Sequence, residues 1–172
     1  MALETPRLSL RRFEPADAAF VVSLLTSPDW LRFIGDRGVR TETDALVYIE
    51  RLTSMGYAKN GFGLYHVSRR SDGTPVGMCG LLRRDTTPDV EIGFAFLSEH
   101  AGQGYATEAS GAVLGEAREQ HGLRRIGAVV MPENHASIRV LEKLGLRFER
   151  LIVTDPARDP LQYFARELGP ER

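Results

Sequence analysis

The sequence predicts an α/β fold: a mixed, mostly antiparallel central sheet flanked by helices on both faces. Two observations predict it. Alternating and helical apolar patterns succeed one another as strand, two helices, three strands, helix, strand, helix and two strands. Within that order, three consecutive strand-like runs joined by short turn signals form an antiparallel meander, and the later strands alternate with helices, which mixes strand directions.

Taken in order, Arg7 to Phe13 alternates with Leu8 and Leu10 on one face and reads as a strand. Pro15 then opens a helix whose apolar residues Ala18, Phe20, Val21, Leu24 and Leu25 recur at helical spacing. After a break around Gly35 to Gly38, Thr41-Glu-Thr-Asp is a helix start, and Ala45, Leu46, Ile49 and Leu52 form its expected buried stripe, with Gly56 to Gly63 ending it. The meander comprises Gly63 to Arg69, Pro75 to Arg84 and Asp89 to Leu97, punctuated by Asp72-Gly73 and Thr87-Pro88-Asp89. Helix Gly104 to Gln120, strand Arg124 to Val130, helix Asn134 to Leu144 and strands Gly145 to Val153 and Leu161 to Leu168 complete the chain. The last strand could pair within the chain or at a dimer contact, so monomer and homodimer both stay open, and Gly169 to Arg172 is expected to fray.

A chain of 172 residues fits a single domain, 1–172, and at that size folding hides roughly 70% of the unfolded surface. Its 42% hydrophobic and 26% charged content are ordinary globular values. A net charge of -1 argues against a broad grip on nucleic acid, which needs clustered Lys and Arg. The single cysteine, Cys79, lies in an apolar run, so no internal disulfide forms and a buried structural thiol is expected. With no membrane-length apolar stretch and no secretory leader pattern, a cytoplasmic protein without membrane contact is expected. His66, His100, His121 and His135 lack ligand spacing with cysteine or carboxylates; they read as surface or loop histidines, and no metal is expected. No Gly-x-Ser-x-Gly elbow occurs, so the nearness of Ser137 and His135 in sequence makes no hydrolase triad.

Leu97-Ser-Glu-His-Ala-Gly-Gln-Gly-Tyr-Ala-Thr links a strand to a helix. Glycines at 102 and 104 let the backbone approach a ligand, and the first N–H groups of a helix lack intrahelical partners, so Gly102, Gln103, Gly104, Tyr105, Ala106 and Thr107 could cradle a diphosphate without a lysine. Two glycines also make tight turns that bind nothing. A dinucleotide fingerprint fits poorly because Thr107 stands where a third glycine is required, and a Walker loop lacks its Gly-Lys-Ser/Thr.

In Val90-Glu-Ile-Gly-Phe-Ala-Phe-Leu, period two places Val90, Ile92, Phe94 and Phe96 on one face and Glu91, Gly93 and Ala95 on the other. The small face leaves room for a ligand beside the Glu91 carboxylate, although a strand carboxylate is commonly just solvated or salt-bridged. Further on, Asn134 suits a helix N-cap, Ile138, Leu141 and Leu144 the buried stripe behind it, and Gly145 the left-handed turn that follows.

Ala101-Gly-Gln-Gly-Tyr-Ala106 resembles motif A of the GCN5-related N-acetyltransferases, Gln/Arg-x-x-Gly-x-Gly/Ala, with Ala101 in place of the first Gln or Arg. Pro132-Glu-Asn-His-Ala-Ser-Ile-Arg-Val-Leu-Glu-Lys-Leu-Gly-Leu-Arg-Phe148 is similar to the family's motif B, with Leu141 where many members have tyrosine. The flanking Gly-Tyr-Ala-Thr-Glu-Ala and the opening Thr5-Pro-Arg-Leu-Ser-Leu-Arg are similar to the ribosomal-protein N-acetyltransferase branch, RimJ/RimL-like.

The resemblance implies the acyl-CoA N-acyltransferase fold and transfer of an acetyl group from acetyl-CoA to a primary amine, on a protein N-terminus or a small molecule, by direct attack in a ternary complex. It further implies Glu91 as general base and Ser137 as proton donor to the departing thiolate. Asn134 and Ser137 would contact the cofactor, as would the backbone of Phe94, Phe96 and Leu97 and the turn from Gly102 to Thr107. A β-bulge in the Glu91 strand is implied as well, in which case Ala95 changes sides. The rival from another class is a non-catalytic CoA-binding or regulatory module on the same scaffold. Trp30, Phe33, Tyr48, Tyr57 and Phe62 surround the helical N-terminal third, where the family builds its acceptor side; one or two of them are expected to serve the acceptor and the rest the core.

Overall fold

A computed structural model of the chain describes residues 2–169. Eight strands form one sheet in the order β1-β2-β3-β4-β5-β6-β8-β7. They are β1 Leu3–Glu4, β2 Leu8–Arg12, β3 Leu64–Arg69, β4 Pro75–Leu82, β5 Glu91–Phe96, β6 Arg125–Val130, β7 Arg147–Ile152 and β8 Leu161–Glu167. Five α-helices accompany them: α1 Ala18–Leu25, α2 Pro28–Phe33, α3 Glu42–Arg51, α4 Tyr105–Glu119 and α5 His135–Lys143. Every neighbouring pair is antiparallel except β5 with β6. The expected mixed, mostly antiparallel sheet is therefore present, and β8 pairs within the chain, between β6 and β7.

Strand alternation sorts apolar residues into a core on each face. Leu8 and Leu10 of β2 and Cys79 and Leu81 of β4 join the α4 and α5 side with Ala109, Val113 and Leu141. Phe13, Leu64 and Met78 join the α1 to α3 side with Val21, Leu25, Trp30 and Ile49. Val76 has the parity of Met78 yet packs on the α4 side. A register shift opposite Val67/Ser68 inserts one extra residue there and reverses the parity. Cys79 is buried and its Sγ lies 3.5 Å from Ser110 Oγ; burial pushes the thiol up to about 12, as befits an inert core residue.

Several expectations need correction. A second short strand, β1, precedes β2, and α2 stands between the two expected helices, started by Ser27 and by Pro28 at its first position. Gly56 does not stop the helix begun at Thr41; the chain continues as a π-helix over Leu52–Ala58. A Cβ at residue 56 would meet Phe62 O at 3.4 Å and Gly63 Cα at 3.5 Å, so the widened turn fits closely over the following loop. Leu46 lies outside the buried stripe, at 42% exposed, because α3 packs through Ala45 and Ile49.

His66 is not a surface residue. It sits in β3, only 2% exposed, edge-on to Phe13 and Phe20 and 3.7 Å from Asp17 Oδ1. Neither ring nitrogen has a hydrogen-bond partner among the described residues. Burial lowers its pKa against the pull of Asp17, and Asp17 is itself held by a bidentate pair from Arg11 at 2.8 and 2.9 Å. His121 is half-buried against Phe62.

Candidate active site

β5 and β6 share a single register pair, Glu91↔Gly127, closed by Gly127 N–H donating to Val90 O at 2.9 Å. Beyond that pair β5 stays fully registered with β4 through Phe96 but pairs with no strand on its β6 edge among the described residues. The two parallel strands thus part toward their carboxyl ends. α4 starts at that end of β5 and α5 at that end of β6, so two helix N-termini face the opening. Open α/β sheets hold ligands outside the carboxyl ends of parallel strands. No register shift falls in β5, which corrects the expected bulge: Val90, Ile92, Phe94 and Phe96 stay on the α4 side and Ala95 on the other.

After a single 3-10 turn at Ser98–His100, Gly102 (φ 74°) and Gly104 (φ 80°) both adopt the left-handed conformation that favours glycine. Gly104 is the N-cap of α4, and the first helical bond runs from Glu108 N–H to Gly104 O at 3.0 Å. The amides of Tyr105, Ala106 and Thr107 precede that bond and face outward without helical partners. Arg7 braces the turn from the start of β2. Its Nη1 donates to Gln103 O at 2.8 Å, its Nε to Glu108 Oε2 at 2.7 Å, and its guanidinium lies over the Tyr105 ring at 4.8 Å. With the Gln103 carbonyl tied back, amides rather than carbonyls line the mouth. These features fit a diphosphate-bearing ligand.

Glu91 opens β5 and is 1% exposed. Thr87 Oγ1 donates to its Oε2 at 2.7 Å, and Arg84 Nε stands 3.7 Å from the same oxygen. Burial raises the carboxyl pKa above its ordinary value, with Arg84 and Thr87 pulling it back. Beneath the Glu91 register partner, Gly127 leaves room for Tyr163: a Cβ there would lie 2.2 Å from the phenol oxygen. Tyr163 is fully buried and donates to Asp89, which also pairs with Arg125 at 3.2 Å.

Asn134 caps α5, its Oδ1 accepting from Ser137 N–H at 3.2 Å. The half-buried Ser137 hydroxyl has no hydrogen bond among the described residues and remains free to donate. Leu141 is buried in the core and offers no donor. Ser137 is not among the partners of Glu91; the carboxylate lies where β5 and β6 still pair, and the hydroxyl lies where they have parted. Among the described residues no cluster of three His, Cys, Asp or Glu could hold a metal, and no helix is long and apolar enough to cross a membrane.

Of the five aromatic candidates, Trp30 donates to Gly35 O at 3.0 Å and Tyr57 to Leu64 O at 2.9 Å, while Phe62 is buried; these serve the core. Phe33 and Tyr48 are half-buried. Arg7, Arg84, Thr87, Gly127 and Tyr163 were not singled out by their local sequence. Only the family-like opening around Arg7 carried any signal.

A split parallel strand pair with a glycine-capped helix at its mouth defines an acyl-CoA transferase type of site. The chain belongs to the family described as Acetyltransferase (GNAT) domain, whose profile matches residues 7–147, and it is an N-acetyltransferase of that family. It is 31% identical over 153 residues to the uncharacterized protein YkkB of Bacillus subtilis (strain 168), covering 87% of each chain. The acetyltransferase from Agrobacterium tumefaciens str. C58 superposes with a TM-score of 0.81 at 25% identity, covering 96% of this chain and 94% of that one. Mycobacterium smegmatis RimJ, solved in complex with CoA-disulfide, shares the fold with a TM-score of 0.76 at 24% identity, over 97% and 86% of the two chains.

Proposed function

We propose that the chain, acting as one cytoplasmic domain over 1–172, transfers the acetyl group of acetyl-CoA to a primary amine by direct attack in a ternary complex. The observation that carries this reading is the parting of β5 from β6 beyond Glu91↔Gly127, with the glycine-capped start of α4 at its mouth. The amides from Gly102 to Thr107 hold the diphosphate. The free backbone edge along Phe94, Phe96 and Leu97 pairs with the amide-bearing arm of the cofactor, and Asn134 orients the first turn of α5 beside it. From Glu91 to Phe96 is roughly 16 Å of strand, enough for an extended arm to reach from the turn toward the carboxylate.

An alkyl amine is mostly protonated at neutral pH and must lose a proton before it attacks. Glu91, kept basic by burial, takes that proton through water, since the carboxylate itself is covered. The nitrogen then bonds to the thioester carbon, the carbon–sulfur bond breaks, Ser137 supplies a proton to the leaving sulfur, and the second proton shed by the acylated nitrogen restores the Ser137 hydroxyl. Orientation of the two reactants can supply roughly 7 to 11 kcal/mol of the barrier reduction. Calorimetric titration with acetyl-CoA, followed by thiol-release assays over a panel of amines and peptides, tests the reading. Binding with amine-dependent thiol release supports it; absence of acetyl-CoA binding, or binding without turnover on any amine, rejects it.

A further inference from the structure

The closed end of the fork between β5 and β6 carries a side-chain strap that the transfer steps above leave unused. Tyr163 stands on β8 opposite Val129 of β6, and its fully buried ring crosses β6 so that the hydroxyl donates to Asp89, two residues before Glu91. A glycine lets it pass. A Cβ at Gly127 would lie 2.2 Å from the phenol oxygen and 2.7 Å from the ring carbon that bears it, so a side chain there would push the ring aside. Gly127 is also the β6 residue in register with Glu91, and register partners share a sheet face. The phenol oxygen therefore fills the place of a Gly127 side chain, on the same face as Glu91 and one strand away.

Asp89 lies midway along the segment that the bond from Thr87 Oγ1 to Glu91 Oε2, 2.7 Å, closes. A second arm grips the same carboxylate: Arg125 of β6 donates from Nε to Asp89 Oδ2 at 3.2 Å and from Nη1 to Glu167 of β8 at 2.9 Å, and it also pairs with Glu149 of β7. Arg150 of β7 covers the Tyr163 ring at 5.2 Å. All three strands beyond the fork are thus fastened to the short segment that presents Glu91. β6 and β8 share six register pairs and need no strap, whereas β5 and β6 share one. Burial, and then the bond to Asp89, raises the pKa of the phenol, which therefore stays protonated and donating at neutral pH.

We propose that Tyr163 is a positioning residue for acetyl transfer: through Asp89 it pins the Thr87–Glu91 segment to β6, fixing where the fork stops and keeping the Glu91 carboxylate covered at its inner end. This rests on the reading of Glu91 as the base. The phenol itself transfers no proton.

The test compares Tyr163→Phe, which keeps the ring and removes the hydroxyl, with Glu91→Gln. Three readouts are used: calorimetry with acetyl-CoA, thiol release across pH, and NMR titration of the Glu91 carboxyl carbon, which needs no acceptor. A segment freed from its strap admits water to Glu91, and burial is what raises that carboxyl, so in Tyr163→Phe the titration and the kcat/KM limb should both move to lower pH. The expected fall in kcat is about tenfold, less than the roughly hundredfold that an ångström of misplacement can cost. Acetyl-CoA affinity should stay within about twofold of native, because the amide turn that holds the diphosphate lies at the other end of the fork. Tyr163→Phe/Asp89→Ala should be no slower than Asp89→Ala alone, since both changes break one bond. A lower melting temperature with kcat and the Glu91 titration unmoved would make the strap structural only and overturn the proposal, as would an additive loss in the double variant. If Glu91→Gln loses the pH limb while Tyr163→Phe keeps it in place, the proposal falls and the base reading stands. If Glu91→Gln keeps native activity and the limb, both fall. Should no amine turn over, the transfer reading fails, and the Glu91 titration still decides whether the phenol governs that carboxylate.

Discussion

Replacing Glu91 with glutamine separates a catalytic carboxylate from a structural one. The amide has the shape of the carboxylate, and its oxygen still accepts the Thr87 hydroxyl, which donates at 2.7 Å in the native protein. Arg84 loses its partner but is 37% exposed at the side chain and stays hydrated. Because burial raises the folded-state pKa of Glu91, its contribution to stability is fully present below the unfolded value. That contribution is lost as pH rises through the folded value, at about 1.4 kcal/mol per unit of displacement. Glu91→Gln therefore melts at the same temperature as the native protein in acid and at the same or a higher temperature at pH 7 to 8. Removal of a general base costs on the order of 10²- to 10⁴-fold in rate, roughly 3 to 5 kcal/mol of barrier. Stopped thiol-release assays across pH should show kcat/KM of the native enzyme rising on a limb above the ordinary glutamate range, and the limb missing from the variant. Activity within threefold of native with the limb retained would refute Glu91 as base; lost activity together with a lower melting temperature at pH 7 would make its role structural.

Gly104→Ala forces an L-residue into φ 80°, at about 1 to 2 kcal/mol, and puts a methyl 3.3 Å from Arg7 Nη2; calorimetry should record acetyl-CoA affinity about tenfold weaker. Gly111→Ala, on the same helix with open space around its Cβ, should raise stability by roughly 0.5 to 1 kcal/mol in denaturant unfolding and leave that affinity alone. Ser137→Ala should lower kcat by about 10²-fold with the melting temperature unchanged, because no described residue bonds the hydroxyl; an unchanged kcat would assign the proton to water. Leu141→Ala, at a position 1% exposed, should cost about 2 to 5 kcal/mol in the same unfolding assay.

What was legible in the sequence is what neighbouring residues decide. Leu8 and Leu10, two apart, identify β2 and its buried face. Thr41 and Asp44, three apart, form the capping box of α3. Gly102, Gly104 and Asn134 take the turn and cap roles that their own chemistry favours. What escaped is what the sheet brings together from afar. The six residues of α2 are too few for a helical repeat to show, and Gly56 looks like a stop because the packing that tolerates a π-helix comes from Phe62 and Gly63. His66 reads as a polar strand residue until Phe13, Phe20 and Asp17 close over it. The same limit governs the site. Ala101 looks like a loss of side-chain support at the turn; the bracing comes instead from Arg7, 96 residues before Gln103. The proposed donor cradle is built of backbone amides, whose glycines at 102 and 104 a sequence displays, whereas side-chain support such as that of Arg7 comes from a distant segment.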